Sequence, residues 1–245
     1  MRIQKYLSQC GVCSRREAEK RILEGRVSLN GSPAQIGADV NPETDRVVVD
    51  GKAVKGVVEE KVALAMNKPK GYLCTNADQF GGKTVFELLR EPYSSMKLFC
   101  VGRLDKNSEG LLILTNDGDL ANYVIHPSSG VIKRYRVLLN RDFDKSLIPV
   151  LLDGVMHEGE KLRAARISTL SDKSAPLYAR RLEVWLNQGR KREIRRMFEA
   201  VGYFVKELVR TQIGRYELRH IAEGSYKKLQ PKDIEKLKSN PQPFL

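Results

Sequence analysis

The stretch VGRLDKNSEGLLILTNDGDLAN, Val101 to Asn122, sets two apolar runs on either side of a polar turn. The run LFCV, ending at Val101, leads into Gly102-Arg103-Leu104-Asp105, and Leu111 to Leu114 forms the second run before Asn116-Asp117-Gly118. Short apolar segments bounded by turn residues are expected to be strands. Arg103 and Asp105 lie two apart, so in an extended segment they share a face, where a guanidinium favours the ionised carboxylate. Such a pair serves either chemistry or the ordinary stabilisation of a turn. Glu109, Asp117 and Asp119 stand nearby, and Asp117-Gly118 reads as a turn and helix cap rather than an acid. The helix it opens is expected to run to Ile125 and end before Pro127.

The whole chain gives this stretch a context. Its 245 residues allow one medium domain with a small appendage, and 41% hydrophobic content is enough for a core. No apolar run reaches the length of a membrane span, and the start MRIQKYLSQCG lacks the apolar region of a signal peptide, so a cytoplasmic protein is expected. The net charge of +13 arises from 43 Lys and Arg against 30 Asp and Glu, which is not one basic tail. A surface of that kind attracts polyanions, nucleic acid above all, although charge also aids solubility. Cys10-Gly11-Val12-Cys13 has redox or half-zinc spacing, but Cys74 and Cys100 stand apart from any second pair, and structural thiols in a reducing compartment are the expectation. His126, His157 and His220 have no metal-ligand spacing, so no metal is expected.

The first part reads as two short helices and a hairpin. Ile3, Leu7 and Cys10 recur at helical spacing, and Ser14 followed by Glu17 is a capping box opening a helix that stops near Gly25. Strands follow at Arg26 to Leu29, turning at Asn30-Gly31, and at Val47 to Val49, turning at Asp50-Gly51. Arg15, Arg16, Lys20 and Arg21 lie on that helix, where rigid spacing suits a phosphate backbone. The alternative is a solvated face laced by pairs such as Arg15 with Glu19 and Lys20 with Glu24. Residues 52 to 61, KAVKGVVEEK, read as a linker. Beyond it VALAMNKPKGYLCT reads as strand, turn and further strand, Val85 to Arg90 as a short helix, and Lys133 to Leu138 and Leu182 to Leu186 as strands. Strands outnumber helices, and a mixed sheet with many antiparallel neighbours fits better than a doubly wound parallel one. The end, NPQPFL, reads as loose.

Two further clusters carry chemistry. Lys133 and Tyr135 alternate on one strand, so an ammonium and a phenol face the same way. The tyrosine either stacks on a base taken out of RNA or packs under the sheet. In GRKREIRRM, five of the eight residues from Gly189 to Arg196 are basic: Arg190, Lys191, Arg192, Arg195 and Arg196. Ile194, Met197, Phe198 and Val201 form the core-facing stripe of a helix. The off-stripe arginines suit phosphate, while one of them could turn inward to Asp105. GxGxxG, Walker, HExxH and GxSxG motifs are absent.

YLSQCGVCSRREAEKRILEGRVSLNG with the late turn VVVDG resembles the S4 RNA-binding domain, over roughly residues 1 to 52. GRLD with LLILTNDG, then KRYRV, then GRKREIRRM followed by VGYFVKELVRTQIG resembles the ribosomal RNA pseudouridine synthases of the RsuA/RluB group. This second similarity runs through nearly the whole chain. It implies an α+β fold with an S4-like domain over 1–57 and a catalytic domain with a central, largely antiparallel mixed sheet over 61–240. It implies an isomerase that needs no cofactor and no metal, acting as a monomer on ribosomal RNA or an assembly intermediate. By that resemblance Asp105 is the catalytic aspartate, Tyr135 stacks on the flipped uridine, Arg195 pairs with Asp105, and Arg103 organises the cleft together with Lys133. Arg15, Arg16, Lys20, Arg21, Arg190, Lys191, Arg192 and Arg196 are the expected RNA contacts. Glu193 stands where the family usually has glutamine. VIHPSSGVIKRYRV points to large-subunit (23S) rRNA, with small-subunit (16S) rRNA as the alternative. The rivals from other classes are a noncatalytic assembly factor and a glycosylase, which would need an activated water and commonly a second carboxylate.

Overall fold

The computed structural model describes residues 1–54, 60–76, 81–169 and 178–242. The chain divides into two compact units, Met1–Lys61 and Val62–Leu245.

In the first unit, α1 (Ile3–Gln9) and α2 (Arg15–Leu23) pack on a small sheet of β1 (Val27–Leu29), β2 (Ser32–Pro33), β3 (Val47–Val49) and β4 (Lys52–Ala53), in the order β2-β1-β3-β4. Ile3 and Leu7 from α1, Ala18 and Ile22 from α2, and Val27, Val47 and Val49 from the strands form one core. Ser14 Oγ accepts the Glu17 N–H at 3.2 Å and caps α2 as expected. The expected reciprocal bond is replaced: Glu17 turns forward along the helix and takes Arg21 Nε at 3.0 Å. Both tight turns use two residues at positive φ, Asn30-Gly31 and Asp50-Gly51, the geometry whose twist matches paired strands. Because Lys52 and Ala53 pair with β3, the linker reading fails at its start, and residues 55–59 of it lie outside the described residues.

The second unit is built on a nine-stranded sheet. Its members are β5 (Ala63–Lys68), β6 (Phe99–Val101), β7 (Glu109–Thr115), β8 (Lys133–Leu139), β11 (Arg166–Thr169), β12 (Arg181–Leu186), β13 (Val205–Ile213), β14 (Tyr216–Glu217) and β15 (Tyr226–Lys228). A separate hairpin joins β9 (Val155–His157) to β10 (Glu160–Leu162). The sheet order is β11-β12-β8-β13-β7-β5-β15, with β14 on β13 and β6 on β7. Among the described residues only β13 with β7 is parallel in this sheet, and the other strand pairs are antiparallel. The mixed, largely antiparallel α+β architecture expected from the sequence is the one observed.

β5 and β7 read as continuous apolar runs because both faces of the sheet are covered. Leu64, Met66, Leu112 and Leu114 face one core, closed by Ile194, Met197 and Phe198 of α5 (Glu193–Glu199) and by Leu151 of α4 (Ile148–Asp153). Their alternates Ala63, Ala65, Leu111 and Ile113 face the other. That second core is closed by Leu120, Ala121 and Val124 of α3 (Gly118–Ile125) and by Leu237 of α6 (Pro231–Lys238). Asp117 caps α3 by accepting the Asp119 and Leu120 N–H groups. Three local readings change. Leu73 makes only a single bridge to Thr84 instead of a second strand, Val85–Leu88 is a single 3-10 turn, and Val201 falls beyond the end of α5. Of the loose-looking terminus, Asn240 is tied down by bonds to Gly130 and Ile132, and residues 243–245 lie outside the described residues.

Candidate active site

The charged pair of the opening stretch sits on the connection between β6 and β7, which are antiparallel neighbours. Val101 ends one strand, Gly102 turns at φ 72°, and Leu104 drives into the core at 6% exposure. The alternation about that buried leucine places Arg103 outside and leaves the Asp105 carboxyl half-exposed. Arg103 makes no hydrogen bond or ion pair among the described residues, so it does not pair with Asp105. The loop then returns to β7 through Gly110, where a side chain is impossible: a Cβ would lie 2.3 Å from the Arg210 carbonyl oxygen.

A lysine with 0% exposure holds this loop from beneath. Lys68 Nζ, at the end of β5, donates to the carbonyls of Pro69 at 3.0 Å, Lys106 at 3.2 Å and Ser108 at 2.7 Å. The two longer-range bonds clamp the main chain on the C-terminal side of Asp105, and the Ser108 N–H donates to the Asp105 carbonyl at 3.0 Å. All three donors of the ammonium are thus used. Burial lowers the Lys68 pKa, while Cys74, Glu109 and Asp105 oppose that shift.

Arg195 approaches Asp105 from α5. Its Nε lies 4.0 Å from Asp105 Oδ2, a charge contact too long for a hydrogen bond. Its fork is fixed elsewhere: Nη1 donates to the Val205 carbonyl at 2.7 Å and Nη2 to that of Asn107 at 3.5 Å. Burial and the neighbouring Arg192 lower its pKa, against the pull of Asp105. The arginine that turns inward is therefore Arg195. Arg196 also turns away from solvent, at 13% side-chain exposure, to meet Glu160 at 2.7 Å and Glu158 at 3.5 Å on the β9–β10 hairpin. These pairs tie α5 to the hairpin.

Tyr135 and Lys133 share a face of β8, both at 8% exposure. Tyr135 packs in the same core cluster as Leu104 and Ile194, which flank Asp105 and Arg195 in sequence. Its hydroxyl makes no hydrogen bond among the described residues. Burial, reinforced by Arg210, pushes the Lys133 ammonium down to about 8, and Glu193 opposes the shift. Arg210 itself is 4% exposed and paired in register with Tyr135 across β13 and β8. Its Nε donates to the Leu111 carbonyl at 2.7 Å, while Nη2 is buried with no hydrogen-bond partner among the described residues. Glu193, at 3% exposure, accepts the Arg190 N–H at 3.0 Å, and burial raises its pKa toward the neutral form that glutamine imitates.

Arg190, Lys191 and Arg192 are exposed, and Arg192 stands at φ 51° at the start of α5. In the first unit Arg15, Arg16 and Lys20 are exposed too, with Lys20 reaching Glu24 at 3.8 Å. Arg21 is the exception on α2: it pairs with Glu17 at 3.0 Å and Asp50 at 3.6 Å and is 23% exposed. Lys68 and Arg210 were not singled out by the sequence reading. The one available signal was a lysine closing an apolar strand immediately before Pro69. Among the described residues no group of three or more His, Cys, Asp or Glu is placed to hold a metal, and no helix is long and apolar enough to cross a membrane.

The fold and matched segments define an enzyme that forms pseudouridine in RNA. Residues 62–200 match the family model described as RNA pseudouridylate synthase, and residues 1–47 match the S4 domain. The chain belongs to the RNA pseudouridylate synthase family. An uncharacterised RNA pseudouridine synthase of Aquifex aeolicus (strain VF5) is 39% identical over 241 residues, covering 97% of this chain and 93% of that protein. The dual-specificity RNA pseudouridine synthase RluF of Escherichia coli (strain K12) is 37% identical, over 94% of this chain and 75% of its own. Ribosomal large subunit pseudouridine synthase B of Bacillus subtilis (strain 168) is 33% identical, over 97% and 96% respectively. A crystal structure of a pseudouridylate synthase superposes with a TM-score of 0.69 at 27% identity, covering 97% of this chain and 99% of that one.

Proposed function

We propose that the enzyme isomerises one specific uridine of large-subunit (23S) ribosomal RNA, as a monomer of the RsuA/RluB group, with Asp105 as the catalytic carboxylate. The observation that carries this reading is the Asp105 loop itself: one half-exposed carboxyl on a main chain clamped by Lys68 and faced by Arg195. The large-subunit preference rests on the VIHPSSGVIKRYRV segment and on the named substrate of the Bacillus subtilis relative. Small-subunit (16S) rRNA is the alternative substrate for the same chemistry.

The reaction breaks the bond from ribose C1′ to uracil N1, turns the base and joins C1′ to C5, with no redox change and no water consumed. Asp105 either attacks C1′ or removes a ribose proton to give a glycal-like intermediate. Arg195 holds positive charge beside that carboxylate in a partly desolvated site, where charge acts strongly. The C5 proton must then leave. Tyr135 presents a phenol free of internal hydrogen bonds to the flipped base, and Lys133 shares its face. The apolar surround keeps out water that would capture an intermediate. Arg103, Arg190, Lys191 and Arg192 offer exposed charge to the phosphates around the target.

Tritium release from rRNA labelled at uridine C5 tests the proposal, with wild type and Asp105→Asn on separate large- and small-subunit substrates. Release by wild type alone, from 23S substrate alone, is the expected result. Binding without release on every substrate would replace this reading with a noncatalytic assembly factor, and release from 16S substrate would move the target.

A further inference from the structure

The loop between β14 and β15 forms one wall of a cleft of about 740 Å³ that the proposed reaction does not use. It lies on the far side of the sheet from Tyr135. Tyr216 and Ile221 line it and pack in the core closed by α3 and α6, whereas Tyr135 and Leu104 pack in the opposite one. Yet the cleft reaches the same end of β5 as the Asp105 clamp. Asn67 Nδ2 donates to the Ile221 carbonyl at 2.9 Å, and the Asn67 N–H donates to the Ser225 carbonyl at 3.0 Å. The Gly224 N–H returns a bond to the Asn67 carbonyl at 2.8 Å. The next residue is Lys68, and consecutive residues of a strand face opposite sides. The cleft wall and the clamp therefore hang back to back on adjacent residues.

The lining is basic. Arg215 comes from the turn between β13 and β14, Arg219 from the loop, Lys227 from β15 and Lys236 from α6, and all four are exposed. Glu217, the one carboxylate in the lining among the described residues, is already shared by Arg134 at 3.7 Å and by Arg219. Arg215 and Lys227 make no side-chain hydrogen bond or ion pair among the described residues, and Lys236 reaches Asp233 only at 4.0 Å. The negative end of α6 suits Lys236, and edge strands commonly carry a lysine such as Lys227. Neither reason gathers four cations around one cleft.

We propose that this cleft is a second phosphodiester site, which holds a strand of the substrate RNA flanking the target uridine as it passes the end of β5. The inference rests on the function proposed above for its substrate. Exposed cations hold a lone anion weakly, because water and salt screen each of them. An RNA strand carries a charge at every nucleotide and engages several cations at once, releasing counterions with each contact. Four exposed cations on separate elements fit that strand better than a free phosphate.

The test uses the full, unaltered chain with 23S- and 16S-derived RNA in turn. Lysines left open are acetylated with sulfo-N-hydroxysuccinimide acetate and mapped by mass spectrometry, and inorganic phosphate at the same total phosphate concentration is the second arm. RNA should shield Lys227 and Lys236, and inorganic phosphate should not. Lys232, exposed on α6 outside the cleft, should be modified in every arm. Arg215→Gln, Lys227→Gln and Lys236→Gln together should flatten the slope of log K against log salt by about 2 and raise KM in tritium release. Equal shielding by inorganic phosphate would make this a small-anion site and overturn the proposal. RNA that leaves both lysines open would overturn it too, as would an unchanged salt slope in a variant that unfolds at the wild-type urea midpoint. The shielding arm needs no substitution, so it decides even if the variant misfolds. If the wild type releases no tritium from any rRNA, the proposed function fails, while shielding and the salt slope, which need only binding, still decide the cleft.

Discussion

The cations of α2 and those around Asp105 are the same residue types put to opposite uses. On α2, Arg15, Arg16 and Lys20 stand in solvent, where a charge is cheap to hold and strongly screened by salt. Around Asp105, Lys68 and Arg210 are at 0% and 4% exposure, and their donors are directed at main-chain carbonyls. A buried ammonium is costly unless every donor finds an acceptor, which Lys68 achieves with three. The net charge of +13 therefore sums two quantities: a long-range attraction for polyanions and a rigid scaffold for one carboxylate. Removing a cation from the second set should change chemistry and stability, and removing one from the first should change association alone.

The largest effect that would break this division is at Arg195. Arg195→Met removes the charge facing Asp105 and the bonds to Val205 and Asn107, and should lower kcat by roughly 10²–10³-fold, the usual cost of losing a preorganised charge. Single-turnover tritium release measures it, and a change confined to KM would mean that Arg195 only binds RNA. Next comes Lys68→Met, which keeps the bulk but leaves three carbonyls without a donor, at about 1–3 kcal/mol each before the relief of an unburied ammonium. A net loss of about 2 kcal/mol in urea unfolding is expected, with activity lower by about 100-fold from a misplaced loop. Wild-type activity in Lys68→Met would show that the clamp does not set the geometry of Asp105.

Much of this arrangement was legible in the chain. Two apolar runs around GRLD gave adjacent strands, Asp117-Gly118 gave the cap of α3, and Ile194, Met197 and Phe198 gave the buried face of α5. The inward turn of an arginine was legible as a possibility because five like charges crowd eight residues. The charge pattern alone did not say which arginine turned; only the family resemblance named Arg195. That depends on acids brought up from elsewhere: Asp105 for Arg195, and Glu158 and Glu160 for Arg196. Lys68 was illegible for the same reason, since its acceptors are carbonyls of a loop 38 and 40 residues away, and main-chain acceptors leave no mark on sequence. Arg103 misled in the opposite direction: two-residue spacing put it on the same side of the chain as Asp105, but its side chain is exposed and the cation that faces Asp105 comes from α5. The helix α6 was passed over because PKDIEKLK offers just Ile234 and Leu237 as an apolar face, and the Asp233 bond to the Gln230 N–H becomes visible only once the helix exists.

Lys133 sharpens the comparison through pH. It keeps its proton to about pH 8 in the folded chain, against about 10.4 in an unfolded one. Between those values the unfolded chain binds more protons, so this group makes stability rise with pH across that window. Below about 8 both states are protonated and the full cost of burying the charge is present. Lys133→Met should therefore stabilise the protein at pH 7 by on the order of 2 kcal/mol, while lowering activity, and its advantage should shrink toward pH 10. Paired urea titrations at pH 7 and 9.5 measure it. An advantage independent of pH would mean that better packing, and not the charge, explains the gain.

The smallest effect belongs to the exposed set. Replacing Arg15, Arg16 and Lys20 together by glutamine removes up to three phosphate contacts, and each contact contributes roughly 0.7–0.9 to the slope of log K against log salt. The slope should flatten by about 2, binding should weaken most at low salt, and kcat at saturating RNA should stay at the wild-type value. Arg21→Gln on the same helix is the internal contrast. It breaks ion pairs to Glu17 and Asp50, so it should lower the unfolding midpoint of the first unit and leave the salt slope nearly unchanged. If the triple variant instead lost kcat with its salt slope intact, the surface cations would be acting on the chemical step, and exposure would no longer separate the two roles.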